Sequence, residues 1–207
     1  MNEYEKKAAK ILKKKKDWHR ALLAAFGADG GETVWKRTGE LLAGMLERFR
    51  DRPRGVRVHT DGYIFFSSAV YLAAKESFPD RAYDFLEQKM RDHATKTGNS
   101  LKKLVKVPGA RRLFLAMWSP MCRKMFGPDQ EFANIFYPAG KGEFRMDITK
   151  CPYHDYTAAL GCPEIGVFFC RNDEYAYGNL PGCCFRRTGT LCGGADRCDF
   201  YMALTKE

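Results

Sequence analysis

Residues 143–149 read Glu-Phe-Arg-Met-Asp-Ile-Thr. This alternation puts Phe144, Met146 and Ile148 on one face of an extended chain and Glu143, Arg145 and Asp147 on the other. The segment 131–137 reads as a second strand, and Pro-Ala-Gly-Lys-Gly at 138–142 joins the two. A Gly-rich link of this length between two extended segments predicts a β-hairpin.

Upstream of the hairpin the period changes. Helices are expected over residues 4–26 and 32–50, separated by Gly-Ala-Asp-Gly-Gly from Gly27, because a glycine just past the last apolar position suits a helix end. Trp35, Leu42, Met45, Leu46 and Phe49 keep helical spacing in the second of these. Further helices are expected over 62–77, 80–96 and 110–126, bounded by Pro79, Pro108-Gly109 and Gly127-Pro128. Downstream, a helical stretch from Tyr153 is disturbed at Gly161 and restarts at Pro163, a residue suited to a first helical turn. Segments 183–191 and 198–204 read as a second hairpin turned at Gly193-Gly194-Ala195-Asp196.

This order predicts an α+β fold, with a helical N-terminal two thirds packed on a small antiparallel sheet built from two β-hairpins flanking a helix. We expect one domain over residues 1–207, its part up to 128 mainly helical and its part from 129 cysteine-rich. The chain has 207 residues and 45% hydrophobic residues, enough apolar surface to exclude a disordered polymer. No apolar run reaches the roughly 18–20 residues of a membrane span, so no membrane is expected as a partner. The lysine-rich N-terminus lacks the apolar core of a secretory signal, and a cytoplasmic location is expected.

The formal net charge is +10. Two segments account for it: residues 1–20 carry eight Lys or Arg against three acidic groups, and residues 99–126 carry seven against none. Neither has the aromatic interleaving of a single-strand groove, so nucleic acid is not the expected partner. A positive field also draws in a small anionic substrate. The composition leaves room for a homo-oligomer.

All eight cysteines lie at or after Cys122, and seven fall between Cys151 and Cys198. In a reducing compartment they serve as core residues, ligands or nucleophiles. Cys151 and His154 stand three residues apart and offer a metal pair, but no Cys-x-x-Cys completes a structural zinc site. Cys170 and Asp173 share a helix face, with Tyr177 one turn on. A carboxylate raises the pKa of a neighbouring thiol unless a cation offsets it, so this pair needs an arginine nearby. If 183–191 is a strand, Arg186, Thr188 and Thr190 share one face and Arg187 takes the other. Cys198-Asp199 opens the last strand, and the adjacent Cys183-Cys184 pair reads as packing. Glycine-rich nucleotide loops, zincin helices and serine elbows are absent.

The ordered set Cys151-Pro, Leu160-Gly-Cys-Pro-Glu164, Phe169-Cys170-x-x-Asp173, Phe185-x-Arg187-Thr188-x-Thr190-Leu191 and Cys198-Asp199-Phe200 resembles the L-2-amino-thiazoline-4-carboxylic acid hydrolase family over residues 143–204. The resemblance implies hydrolysis of a C–N or C–S bond in a small cyclic acid, as in opening 2-aminothiazoline-4-carboxylate to a carbamoyl-cysteine. It implies Cys170 and Asp173 as catalytic groups, Asp173 being a base and Cys170 a nucleophile or proton relay. It implies Arg187, Thr190 and Asp199 as substrate-binding groups, with Arg187 anchoring the carboxylate, and no cofactor. Cys162, Cys192 and Cys183-Cys184 are less typical of the family. They point to an alternative, a non-catalytic small-molecule or metal sensor holding zinc or an iron-sulfur group through Cys151, His154, Cys170 and Cys198. The late cysteines and the hairpin-helix-hairpin order are also similar to ligand-binding vinyl-reductase-like domains.

Overall fold

The structure is a computed structural model, and it describes residues 1–205. Helix α1 (Glu3–Lys13) starts with a reciprocal cap: Asn2 Oδ1 accepts from the Glu5 amide at 2.9 Å, and Glu5 Oε2 accepts from the Asn2 amide at 2.8 Å. The helix expected over 4–26 breaks at Lys14-Lys15, and α2 (Lys16–Arg48) begins beyond. The expected loop from Gly27 shrinks to one residue. Gly27 alone leaves helical geometry, at φ 78° and ψ 169°, and Gly30 and Gly31 continue the helix. A left-handed φ without a Cβ lets two helical segments meet at a sharp kink.

A three-residue helical turn, α3 (Arg57–His59), and a π-helical turn at Thr60–Ile64 lead into α4 (Phe65–Ser77). Thr60 and Asp61, in that π-turn, hold the buried guanidinium of Arg52, and Lys7 meets Asp61 at 2.6 Å. In α4, Phe65, Phe66, Ala69, Val70, Ala73 and Ala74 are all essentially inaccessible. A helix buried on every side through this stretch belongs at the centre of its unit, and α2 packs along it. Helix α5 (Pro79–Val105) runs past the expected end at Lys96, and α6 (Ala110–Met125) tolerates Pro120 in its interior.

The sheet has four antiparallel strands, β1 (Ala133–Phe136), β2 (Glu143–Lys150), β3 (Cys183–Arg186) and β4 (Cys198–Leu204), in the order β1-β2-β4-β3. Phe144, Met146 and Ile148 are buried as their alternation requires. Asp147 breaks the alternation: it is buried too, and accepts from Tyr137 Oη at 2.8 Å and pairs with Arg197 Nε at 3.2 Å. Between the hairpins lie α7 (Pro152–Ala159), a 3-10 turn at Pro163–Ile165 and α8 (Gly166–Tyr177). The fold is thus α+β, helical in its N-terminal part, with a small sheet from two hairpins.

The expected strand over 183–191 stops at Arg186. Asp199 gathers the Thr188 amide at 2.9 Å, the Thr188 hydroxyl at 2.7 Å and the Gly189 amide at 2.7 Å, which turns the chain out of the sheet. Thr190 then caps a 3-10 turn at Leu191–Gly193. Arg186, Thr188 and Thr190 therefore do not form a strand face.

Contacts divide the chain into two units, Met1–Lys89 with Tyr156–Ile165, and Met90–Asp155 with the residues from Gly166 onward. In the first, Glu164 accepts from Tyr71 Oη at 2.7 Å and Lys75 Nζ at 2.9 Å, fixing the 3-10 turn. The second holds the sheet, α6 and α8, and its core contains Leu115, Trp118, Phe132, Phe144, Met146, Ile148 and Met202 together with Cys122, Cys151 and Cys198. Within it α5 comes close to α8: a Cβ on Gly98 would lie 2.6 Å from the Tyr175 carbonyl oxygen.

Candidate active site

Four segments of the second unit meet at Cys170. Helix α8 carries Cys170 and Asp173 one turn apart, as their spacing predicts. The loop after β3 brings Arg187, Thr190 and Cys192, the start of β4 brings Cys198, and the end of β2 brings Cys151. All eight cysteines are free thiols.

Cys170 is a hydrogen-bond acceptor for several groups at once. The Cys192 and Cys198 thiols and the Thr190 hydroxyl hydrogen-bond to its sulfur, and the Arg187 cation stands near it. The two thiol hydrogen bonds hold the Cys170 pKa far below the ordinary thiol range against the opposing effect of burial, with Thr190 and Arg187 adding to the pull. Cys192 and Cys198 shift upward, first because each keeps its proton for the bond to Cys170 and then because they are buried. One negative charge is therefore localised on one sulfur among several. The loop fixes these donors in place. Thr190 Oγ1 accepts from the Gly193 amide at 3.0 Å, which leaves its hydroxyl hydrogen for Cys170, and the Leu191 amide donates to Cys198 Sγ at 3.3 Å.

Arg187 is the cation that the Cys170–Asp173 pair requires. Only 2% of its side-chain surface is exposed. Nη1 donates to Asp173 Oδ2 at 3.0 Å, and Nη2 donates to the Cys170 carbonyl at 2.7 Å and to Glu174 Oε1 at 2.9 Å. These contacts tie the guanidinium to α8. Asp173 keeps 32% of its side-chain surface, yet protein atoms crowd its carboxyl group. Burial drives its pKa up to about 7, Arg187 opposes that rise, and the Cys170 charge adds to it.

Asp199 uses both oxygens on Thr188 and Gly189. Burial opposes its charge, but these hydrogen bonds hold its pKa below the usual carboxylate value. It organises the loop that carries Thr190 and Cys192. Cys151 caps α7: the Tyr153 and His154 amides hydrogen-bond to its sulfur, while burial raises its pKa to about 12. The His154 ring lies on the exposed side, Nδ1 to Asp155 Oδ1 at 2.9 Å, so the Cys151–His154 spacing does not make a shared ligand pair. Among the described residues no group of three or more His, Cys, Asp or Glu side chains is arranged to hold a metal ion. Cys162 belongs to the first unit, and Cys183 and Cys184 lie in β3 opposite Leu204 and Ala203.

Two site residues, Cys192 and Cys122, are additional to those given a role in the sequence, and Tyr177 stands a turn beyond Asp173 as its spacing predicts. Cys192 reaches Cys170 only because the chain leaves the sheet after Arg186. Cys122 and Tyr177 flank Asp173: burial first, and then the Asp173 charge, raises the Cys122 pKa to about 12 and raises that of Tyr177 as well. The signal for Cys122 was its place four residues after Trp118 on one helix stripe, and Trp118 packs edge-on against Tyr177 at 4.7 Å.

Comparison with curated proteins and with solved structures gives no match. A family model described as L-2-amino-thiazoline-4-carboxylic acid hydrolase matches residues 57–202, more than two thirds of the chain and all of the Cys170 site. On that match, the chain belongs to the L-2-amino-thiazoline-4-carboxylic acid hydrolase family.

Proposed function

We propose that the protein hydrolyses the C–S bond of a small cyclic amino acid of the 2-aminothiazoline-4-carboxylate type, releasing a carbamoyl-cysteine, with Cys170 as the nucleophile. The observation that carries this reading is the hydrogen-bonding of Cys192, Cys198 and Thr190 to the Cys170 sulfur beside Arg187. Such an arrangement keeps a reactive thiolate where an ordinary buried thiol would stay protonated.

The Cys170 thiolate attacks the ring carbon between sulfur and nitrogen. The ring C–S bond breaks, its electron pair stays on the departing sulfur, and Asp173, a carboxylic acid at the outset, supplies the proton. An isothiourea now links Cys170 to the opened substrate. Asp173, now a carboxylate, takes a proton from water as the water oxygen adds to the same carbon, and returns that proton to the former ring nitrogen. Collapse to the carbamoyl group expels Cys170 as thiolate, and the hydroxyl proton returns to Asp173. The two hydrogens of one water end on the product sulfur and nitrogen. A carboxyl group with a pKa of about 7 is suited to act as acid and then as base.

Arg187 acts in this scheme as a positioning residue. Its observed bonds go to Asp173, Glu174 and the Cys170 carbonyl, and it holds two reacting groups in register instead of gripping the substrate carboxylate. Asp199 positions the loop that carries Thr190 and Cys192. The substrate is a small anion, no cofactor enters a step, and the product class places the enzyme in amino-acid metabolism. Eight free thiols fit a cytoplasmic setting. Release of a new thiol from 2-aminothiazoline-4-carboxylate by the parent, and its loss in Cys170→Ser, is the expected result. Equal release by the two proteins would defeat the proposal.

A further inference from the structure

Among the described residues eight large apolar side chains are left exposed, and five of them, Leu104, Val107, Leu113, Met117 and Met121, fall within eighteen consecutive residues. Leu113, Met117 and Met121 are 62%, 59% and 45% exposed. They sit four residues apart and form one stripe along α6. The opposite side of that helix, with Leu115, Trp118 and Cys122, is embedded in the core of the second unit, so the stripe faces away from the core.

The same stretch carries the acid-free charge excess, seven Lys or Arg between residues 99 and 126. Arg112, Arg123 and Lys124 are exposed on α6, and Lys103 and Lys106 are exposed beside Leu104 and Val107 at the turn before it. On a helical wheel Lys124 falls within the stripe, and Arg112 and Arg123, the latter over the Phe136 ring, lie about 80–100° round the helix from it. Apolar exposure and cationic charge are independent observations, and they coincide in one place.

We propose that this α5–α6 corner docks on an anionic lipid surface, inserting the Leu and Met side chains at the headgroup level while the arginines and lysines meet lipid phosphates. Each half of the patch alone binds bilayers weakly, and the pair together gives stable surface association. A second copy of the chain suits the patch poorly, because two such surfaces would bring their cations together with no acid to offset them. Nucleic acid would leave the apolar stripe without a partner. No described helix is long and apolar enough to cross a membrane, so the association is peripheral.

The test is cosedimentation of the full chain with phosphatidylcholine vesicles containing about 30% phosphatidylglycerol, and with pure phosphatidylcholine vesicles. Binding to the anionic vesicles only, weakened about tenfold or more both by high salt and by the double substitution Leu113→Gln with Met117→Gln, is expected. Both positions are exposed, and an unchanged circular dichroism spectrum and Tm of the variant will confirm that folding is intact. No binding to the anionic vesicles overturns the proposal. Binding that ignores the double substitution also overturns it, by reducing the effect to charge adsorption. Light scattering that finds a dimer in the parent and a monomer in the variant would give the patch to a second copy and overturn the proposal as well.

Discussion

Removing the thiol of Cys192 tests the electrostatic core of the site without touching the nucleophile. Cys192 makes the leading contribution to the depressed pKa of Cys170. A hydrogen bond to a charged acceptor is worth about 1.5–3 kcal/mol, and a thiol is a weak donor, so the low end applies. At about 1.4 kcal/mol per pKa unit, Cys192→Ala raises the Cys170 pKa by about one unit. Cys192→Ser, whose hydroxyl is a stronger donor, keeps it at or below the parent value. Cys192 is only half-buried, and its truncation alters stability by about 1 kcal/mol or less. The assay is alkylation by iodoacetamide across a pH series, with modification at Cys170 read by peptide mass. An inflection that does not move in Cys192→Ala, in a protein whose Tm is unchanged, would refute the reasoning. Linkage supplies a second readout. A folded-state pKa depressed below the unfolded value contributes stability that is complete above the ordinary thiol pKa and is lost as pH falls through the folded pKa. The stability advantage of the parent over Cys170→Ala therefore grows as pH rises toward the ordinary thiol value near 8.5 and levels off above it.

Other predictions follow from the same contacts. The kcat/KM profile should have an acid limb well below neutrality, from Cys170, and an alkaline limb near the Asp173 value of about 7, above which the leaving sulfur lacks its proton donor. Asp173→Asn should abolish the alkaline limb and lower kcat/KM by about 10²-fold or more in steady-state assays. Arg187→Lys keeps the charge but loses the fork that reaches Asp173, Glu174 and the Cys170 carbonyl. It should cost about 2–4 kcal/mol in denaturant unfolding and raise the Cys170 pKa. Asp199→Ala frees the loop at Thr188 and Gly189. It should lower stability by about 1–3 kcal/mol and kcat more strongly than KM, as its loop carries donors to Cys170.

The legible parts of the fold were those set by local patterns. The alternation through Phe144, Met146 and Ile148 fixed β2 and its buried face, and the spacing of Cys170 and Asp173 placed both on one face of α8. The break at Lys14-Lys15 was not visible because lysines are good helix formers, and nothing local distinguishes that pair from the other lysines of the block. Gly30 and Gly31 read as a loop but remain helical, since only Gly27 takes a positive φ. Strand β3 was drawn too long because Phe185-Arg-Arg-Thr-Gly-Thr alternates plausibly, whereas its real course is decided by a carboxylate eleven residues away from Thr188 on the next strand. That long-range bond also brings Cys192 to Cys170, and so the third thiol of the site was hidden from a local reading. The sequence called for an arginine beside the pair without naming it, and Arg187 was assigned to the substrate carboxylate, because its burial against α8 depends on tertiary packing.

The central claim is that Cys170 bonds covalently to the substrate carbon. Because the departing sulfur stays tethered, the intermediate carries the whole substrate and a new free thiol. Intact-mass analysis of the Asp173→Asn protein quenched after mixing with 2-aminothiazoline-4-carboxylate should show an increment equal to the full substrate mass, mapped to Cys170 and missing in Cys170→Ala. Product formation by the parent with no such increment in Asp173→Asn, together with full turnover by Cys170→Ala, would contradict the account.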